Sequence, residues 1–404
     1  MYQPSKKIIE RYADVLVNFA LNKGEGMKKG EVVHLIGNES AKPLFVEVLS
    51  AITKAGGHAL TRYSPDSDKN FNVEREFYLN AKDHQLSFFP SRYFRGLIDE
   101  IHHTIFIESE ADVEALRGID PKKIMMSRRA MQPYREWRNE KENRGDFSWT
   151  LALYGTQAMA HEAGLSEKEY WKQIIHACFL NSADPVSQWK QTVQKINTIK
   201  KYLNSLHIEK LHIVGPDADL WITPGKKRIW EGGRGANIPS FEIFTSPDWR
   251  GTEGWMRFNQ PCYSGGNLIK GVELEFKHGK VIRSKARQGE KFLKELIKTP
   301  NADKIGEYSL TDKRFSRITK FMATTLYDEN IGGPNGNTHL AVGSSYHDCY
   351  DGDPAKPTKV QWAALGFNSS AVHQDFISTT PRTVTAYLTN GKEKVIYKNG
   401  MFLR

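Results

Sequence analysis

The sequence predicts a mixed α/β protein of two domains, and three observations carry that reading. Helix and strand patterns alternate through the first half. β-prone runs joined by turn dipeptides dominate the second half. A chain of 404 residues also has interior enough for two cores.

Lys6 to Leu21 repeats its apolar residues at helical spacing. Glu31 to Ile36 is a short apolar run that reads as a buried strand. Lys42 to Ala55 reads as a helix stopped by Gly56-Gly57, and His58 to Tyr63 as a second strand. Ile101 to Ile107 and Trp149 to Tyr154 are further strands, with Pro121 to Asn139 between them as one polar helix. Strands alternating with helices give βαβ units and a partly parallel sheet. Ser166 to Leu206 is a helical stretch, with Ser166 and Glu169 at capping-box spacing.

The pattern changes near His207. Leu211 to Val214 and Leu220 to Thr223 read as strands. Phe276 to Ile282 is a hairpin on His278-Gly279, and a helix follows over Gly289 to Lys298. Asn390-Gly391 and Asn399-Gly400 mark two more hairpins in the tail. The expected domains are residues 1–206, an N-terminal α/β domain, and residues 207–404, a more β-rich C-terminal domain.

Composition narrows the function. Hydrophobic residues make up 39% and charged residues 26%, as in ordinary globular proteins. No apolar run reaches the roughly 18 residues of a membrane span. The first segment lacks the apolar core of a signal peptide, which predicts a cytoplasmic protein with no membrane contact. Cys178, Cys262 and Cys349 lie far apart, so no CxxC zinc ribbon exists and the thiols are expected to be reduced. The net charge is +10, but the Lys and Arg residues are dispersed. That reads as a solvated basic surface and not as a nucleic-acid site.

Several residues invite chemistry. His373 and Asp375 lie two apart in a β-prone segment, which puts both side chains on one strand face, as a metal site requires. His339 stands in a second strand-like run, Leu340 to Val342; taken singly it reads as a core histidine. Glu242 and Glu307 are carboxylates within apolar or small stretches, where burial is costly without a partner or a metal. Other features read as structure. Gly232 to Gly235 lacks dinucleotide-loop spacing and is a loop. His102 and His103 are expected at a surface or edge. Trp230, Trp249 and Trp255 are assigned to core packing before a pocket.

In order along the chain, the segments NIPSFEIFTSPD, GVELEFKHGKVI with RQGEKFLKELI, IGEYSL, LYDENIGG to THLAVGSSY, and NSSAVHQDFI resemble those of the M29-type metallo-aminopeptidases. They span about residues 237 to 378, and the first half has the expected size and character. The resemblance implies a dinuclear metal centre held by Glu242, Glu307, His339, His373 and Asp375. It implies a homodimer that encloses the site and peptide substrates with a free N-terminus. Five N/O ligands without sulfur suit Zn, Co or Mn. Tyr346 matches a family tyrosine near the metals and is assigned hydrogen bonding to the oxyanion; Glu329 is a further ligand or a general base, ranked below the five. Two features depart from the pattern. Pro334-Asn335-Gly336 lengthen the loop between Glu329 and His339, and Phe241 stands where a small residue is usual, with a narrowed pocket as the expectation.

A competing reading is a non-haem Fe(II) ring-cleaving dioxygenase using His339, His373 and Asp375. Glu242 and Glu307 separate the two, because an iron triad needs only one carboxylate. A non-catalytic basic binding protein is a third reading, which nothing in the motif region favours.

Overall fold

The computed structural model describes residues 2–404. Its first sheet is parallel throughout. The strands run in the spatial order His58–Ser64, Val32–Asn38, His103–Glu108, Ser148–Leu153 and the short Asn237–Ile238. Val33, Leu35, Ile105, Ile107 and Ala152 are fully buried on it. The helix Lys6–Asn18 covers them with Ile9, Tyr12, Ala13, Leu16 and Val17, an i, i+3, i+4, i+7 stripe. It packs on the helix Lys42–Lys54, which buries Leu44, Val48 and Ile52 in the same core. Each such side chain stabilises the fold by about 1.5–3 kcal/mol.

The second half is antiparallel. An eight-stranded sheet is drawn from strands between Ile208 and Phe402. A four-stranded sheet carries Glu242–Thr245, Ile305–Thr311, Asn337–Gly343 and His373–Ser378, in the spatial order His373–Ser378, Asn337–Gly343, Ile305–Thr311, Glu242–Thr245. The hairpins expected on His278-Gly279 and Asn399-Gly400 form, with both residues of each pair at positive φ. The capping box of Ser166 and Glu169 is also present.

Two helical expectations are corrected. Pro121 to Asn139 is two helices, Pro121–Ala130 and Gln132–Asn143, because Pro133 restarts the chain after Met131. Ser166 to Leu206 is also two, Glu167–Ala177 and Pro185–Asn204, parted where Phe179 takes a positive φ. Residues 73–100 hold three helices that the sequence pattern did not resolve.

The halves interlock. Asn237–Ile238 joins the parallel sheet, and the chain enters the four-stranded sheet at Glu242. Ile318, Met322, Leu326, Tyr327 and Ile331 pack into the first core, and the Tyr170 hydroxyl donates to the Met322 carbonyl at 2.8 Å. A cavity of about 810 Å³ lies between the sheets. Phe106, Glu108, Trp149 and Leu151 face it from one side; Glu242, Phe244, Glu307 and His373 face it from the other.

Candidate metal centre

Three strands of the small sheet line the cavity through Glu242, Phe244, Glu307, His373 and Asp375, and the fourth brings the buried His339 to the same cluster. The register sets Glu307 opposite Ala341 and Ala341 opposite Asp375. Ser309 stands opposite His339, Thr311 opposite Glu242, and Gly343 opposite His373. Residues two apart share a face, so the register gathers side chains far apart in sequence. The positions between them are small, Ser309, Ala341 and Gly343, which leaves room for the functional groups.

Three ligand groups form, each with its donor atoms within 4.8 Å of one another: Glu242, Glu307 and His339; Glu307, His373 and Asp375; Glu329, His339 and Asp375. The structure thus brings together all five residues singled out as metal ligands, and Glu329 with them. Glu307 turns its two oxygens to different imidazoles, with Oε1 3.4 Å from His339 Nε2 and Oε2 3.3 Å from His373 Nε2. His339 Nε2 also lies 3.2 Å from Glu242 Oε2, and His373 Nε2 3.6 Å from Asp375 Oδ1.

Neighbouring groups fix these side chains. His373 Nδ1–H donates to the Ser344 carbonyl at 2.8 Å, which leaves Nε2 free as a donor atom toward the cavity. Ser240 and Ser309 hydroxyls each donate to Glu242 at 3.2 Å. The Asn237 amide donates to Glu329 at 3.0 Å. Gly343 sits at φ +105°, where an added Cβ would lie 2.0 Å from the Val372 carbonyl oxygen, so only glycine fits beside His373.

The electrostatics call for positive charge. Burial raises Glu242, against the hydrogen bond from His339 and with the like charge of Glu307. Burial, then Glu242 and Asp375, push Glu329 well above the carboxylate range. Burial favours neutral imidazole at His339 and His373, yet the carboxylates around them raise both well above the usual value. Burial opposes ionisation of Asp375 as well, but His373 and His339 hold its carboxyl below its ordinary value. Four carboxylates in a site where Glu307 is 3% and His339 1% exposed are costly without cations. Divalent ions fit this set of nitrogen and oxygen donors, with the Nε2 atoms of His339 and His373 turned to the carboxylates.

Tyr346 lies beside the cluster, its ring centroid 4.7 Å from that of His373 and 5.7 Å from that of Phe244. Burial and four carboxylates raise its phenol far above the usual value, so it stays protonated and able to donate. Phe241 does not narrow the pocket. It is fully buried and stacks on Trp189 at 5.4 Å, in the first core. Trp230 is buried in the second core, and the cavity's tryptophan is Trp149, which the motif reading missed. The Gly232 to Gly235 segment is a loop, and it lines the cavity. Gly232 passes so close to the Glu242 carbonyl that a Cβ would meet it at 2.2 Å. His102 is exposed as expected, but His103 is buried at 1% exposure.

Known proteins resemble the chain over most of its length. Aminopeptidase PepS of Streptococcus thermophilus is 27% identical, over 98% of each chain. Aminopeptidase AmpS of Bacillus subtilis (strain 168) is 30% identical over 71% of this chain and 73% of its own. The solved structure of wild-type AmpT from Thermus thermophilus superposes with a TM-score of 0.79 at 22% identity, covering 99% of this chain and 100% of that one. A 2,5-dihydroxypyridine dioxygenase from Pseudomonas putida KT2440 shares the fold more distantly, with a TM-score of 0.51 at 12% identity, over 99% of this chain and 98% of that one. The model of the thermophilic metalloproteases (M29) matches residues 5–402, nearly the whole chain, and the chain therefore belongs to that family of metal-dependent hydrolases.

Proposed function

We propose that the protein is an aminopeptidase that removes N-terminal residues from peptides at a two-metal site. One observation carries this reading: five buried or half-buried nitrogen and oxygen donors converge on one sheet face, with Glu329 reaching them from the end of a short helix, and Glu307 is common to two of the three-residue groups. Those two groups together use Glu242, Glu307, His339, His373 and Asp375, the five residues that would hold the two ions. The relatives named above are aminopeptidases, which supports the substrate class.

Zn, Co or Mn ions held there would supply Lewis acidity and a water of lowered pKa. The residues of the chain do the rest. Glu329 stands outside those two groups, and we assign it the role of taking the proton of the attacking water. Asn237 orients it. Tyr346 donates to the oxyanion that develops on the scissile carbonyl. The cavity walls exclude water and hold the peptide.

We assign residues 1–206 and 207–404 to two domains, since the long parallel strands fall in the first and the whole four-stranded sheet in the second. A homodimer is supported by exposed apolar residues grouped between 60 and 93: Tyr63 at 45%, Phe71 at 77%, Phe88 at 70% and Tyr93 at 61%. Arg62 and Val73, within the same stretch of chain, line the cavity. Three free buried thiols suit a cytoplasmic setting.

Hydrolysis of Leu-p-nitroanilide after chelation and metal return tests the reading. Activity is expected to vanish with a strong chelator and return with a divalent ion; activity indifferent to chelation would remove the metals from the mechanism. Oxygen uptake by an iron-loaded protein without peptide hydrolysis would favour the dioxygenase reading, which the shared fold keeps in view.

A further inference from the structure

Away from the metal centre, the other wall of the cavity is acidic. Glu108 ends the strand His103–Glu108, at the carboxyl edge of the parallel sheet, where ligands of such sheets bind. Ser109, Glu110 and Asp112 follow it, and Glu74 joins them from the helix Val73–Asn80; all five line the cavity. Arg62 and Arg234 are the two guanidiniums among the described lining residues, and Arg234 is already paired with Asp348 and Glu231.

The carboxylates lack internal compensation. Burial raises Glu110, and the charges that act on it, Glu108, Glu74 and Asp112, all share its sign and push it up to about 8. Burial likewise pushes Glu108 up to about 7, opposed by one hydrogen bond from the Thr324 hydroxyl at 3.0 Å. Between the two glutamates, Ser109 is 1% exposed and its hydroxyl has no hydrogen-bond partner. A buried donor or acceptor left unmade on a cavity wall is costly unless a guest completes it.

A short helix joins the acidic wall to the ligand cluster. Thr324, which holds Glu108, precedes the helix Thr325–Asp328, and Glu329 ends that helix in the metal cluster. Five residues of helix rise about 7.5 Å. An extended peptide advances about 3.3 Å per residue, so a rise of that size corresponds to about two to three peptide residues.

We propose that Glu108 and Glu110 form a subsite for a cationic side chain, lysine or arginine, of the peptide substrate. The proposal rests on the aminopeptidase reading and adds to it the charge of the preferred peptide. Ser109 completes the subsite by hydrogen bonding to the substrate backbone or ammonium group.

The test compares kcat/KM for tripeptides carrying lysine or uncharged norleucine at the first, second or third position. The metal-loaded enzyme is expected to favour lysine about tenfold at one of the three positions. The same ratio in Glu110→Gln and in the double variant Glu108→Gln, Glu110→Gln is expected to fall toward one. Because each ratio is read within a single protein, a general loss of activity cancels. A ratio near one at every position in the wild type, or an unchanged ratio in the variants, overturns the subsite. If no peptide is cleaved, the aminopeptidase reading fails, and calorimetric binding of the same peptides still decides. Tighter binding of the lysine peptide that the variants lose supports the subsite; equal binding overturns it.

Discussion

Glu307 faces His373 at 3.3 Å through Oε2, while its other oxygen lies 3.4 Å from His339. One carboxylate from a central strand is thus shared by two ligand groups that the other three strands complete. Replacing it by glutamine keeps the volume and removes the negative charge. Glu307→Gln is therefore expected to lose both metal ions together, and kcat/KM by more than about 100-fold. Metal analysis alongside kinetics checks this. Loss of one ion with the other retained would assign Glu307 to a single group.

Tyr346→Phe separates chemistry from metal binding. The phenol is kept protonated by burial and nearby carboxylates, so its role is to donate. Its loss is expected to lower kcat about 10²–10³-fold with metal content unchanged. A kcat within twofold of wild type would remove Tyr346 from the reaction.

How the site could be read from the sequence depends on how its residues are linked. His373 and Asp375 were legible as a pair because their spacing alone sets a common strand face. Glu242, Glu307 and His339 were not, because they meet only through the register of separate strands, and that register is a tertiary fact. Ordered motifs supplied what spacing lacked. Glu329 was ranked low because of the longer loop after it, yet the short helix before it fixes its position independently of that loop. The acidic wall was not read from the sequence: Glu108, Glu110 and Asp112 alternate in one short segment, but only the fold turns that segment, together with Glu74 from a separate helix, into the cavity. Fold class followed from periodicity. The strand order did not, and Phe241, a bulky residue in a motif, turned into the first core because Trp189 and Phe179 receive it.

Gly343 links backbone geometry to the centre. Alanine there requires a positive φ and meets the Val372 carbonyl, next to His373. Gly343→Ala is expected to cost at least about 1–3 kcal/mol in stability and to weaken metal binding, read by thermal melting and by metal titration. A variant equal to wild type in both would show that the strand relaxes freely.

A second hydrogen-bonded chain of serine, histidine and glutamate has no such role. Ser148 Oγ lies 2.9 Å from His103 Nδ1, and His103 Nε2 lies 2.8 Å from Glu31. These residues stand at the amino edge of the parallel sheet, opposite the end where ligands bind, and the Ser148 oxygen already accepts from the Asn22 N–H at 2.9 Å. Ser148→Ala is expected to destabilise the fold by about 1–3 kcal/mol, measured by denaturant unfolding, with metal content intact. Loss of the metals in a still-folded variant would contradict a purely structural tie.

Acid should unfold the protein partly through two histidines that are not among the proposed ligands, the buried His34 and the half-buried His347. Burial, with Arg62 and Arg138 nearby, lowers His34 from 6.5 to about 4. Burial lowers His347 to about 4 as well, with Arg228 assisting and Asp348 opposing. The unfolded chain takes up protons near 6.5 that the folded chain refuses, so this stability is present above 6.5 and is lost as pH falls toward 4. His34→Leu is expected to flatten the dependence of Tm on pH across that window. An unchanged slope would show that His34 does not contribute to it.

The count of metal ions per chain, taken with peptide hydrolysis on the same sample, bears most directly on the two-metal aminopeptidase. Two divalent ions per chain, with kcat rising to its limit only as the second is added, is the expected result. Full peptide hydrolysis with a single ion per chain, or one iron with oxygen consumption and no hydrolysis, would contradict it.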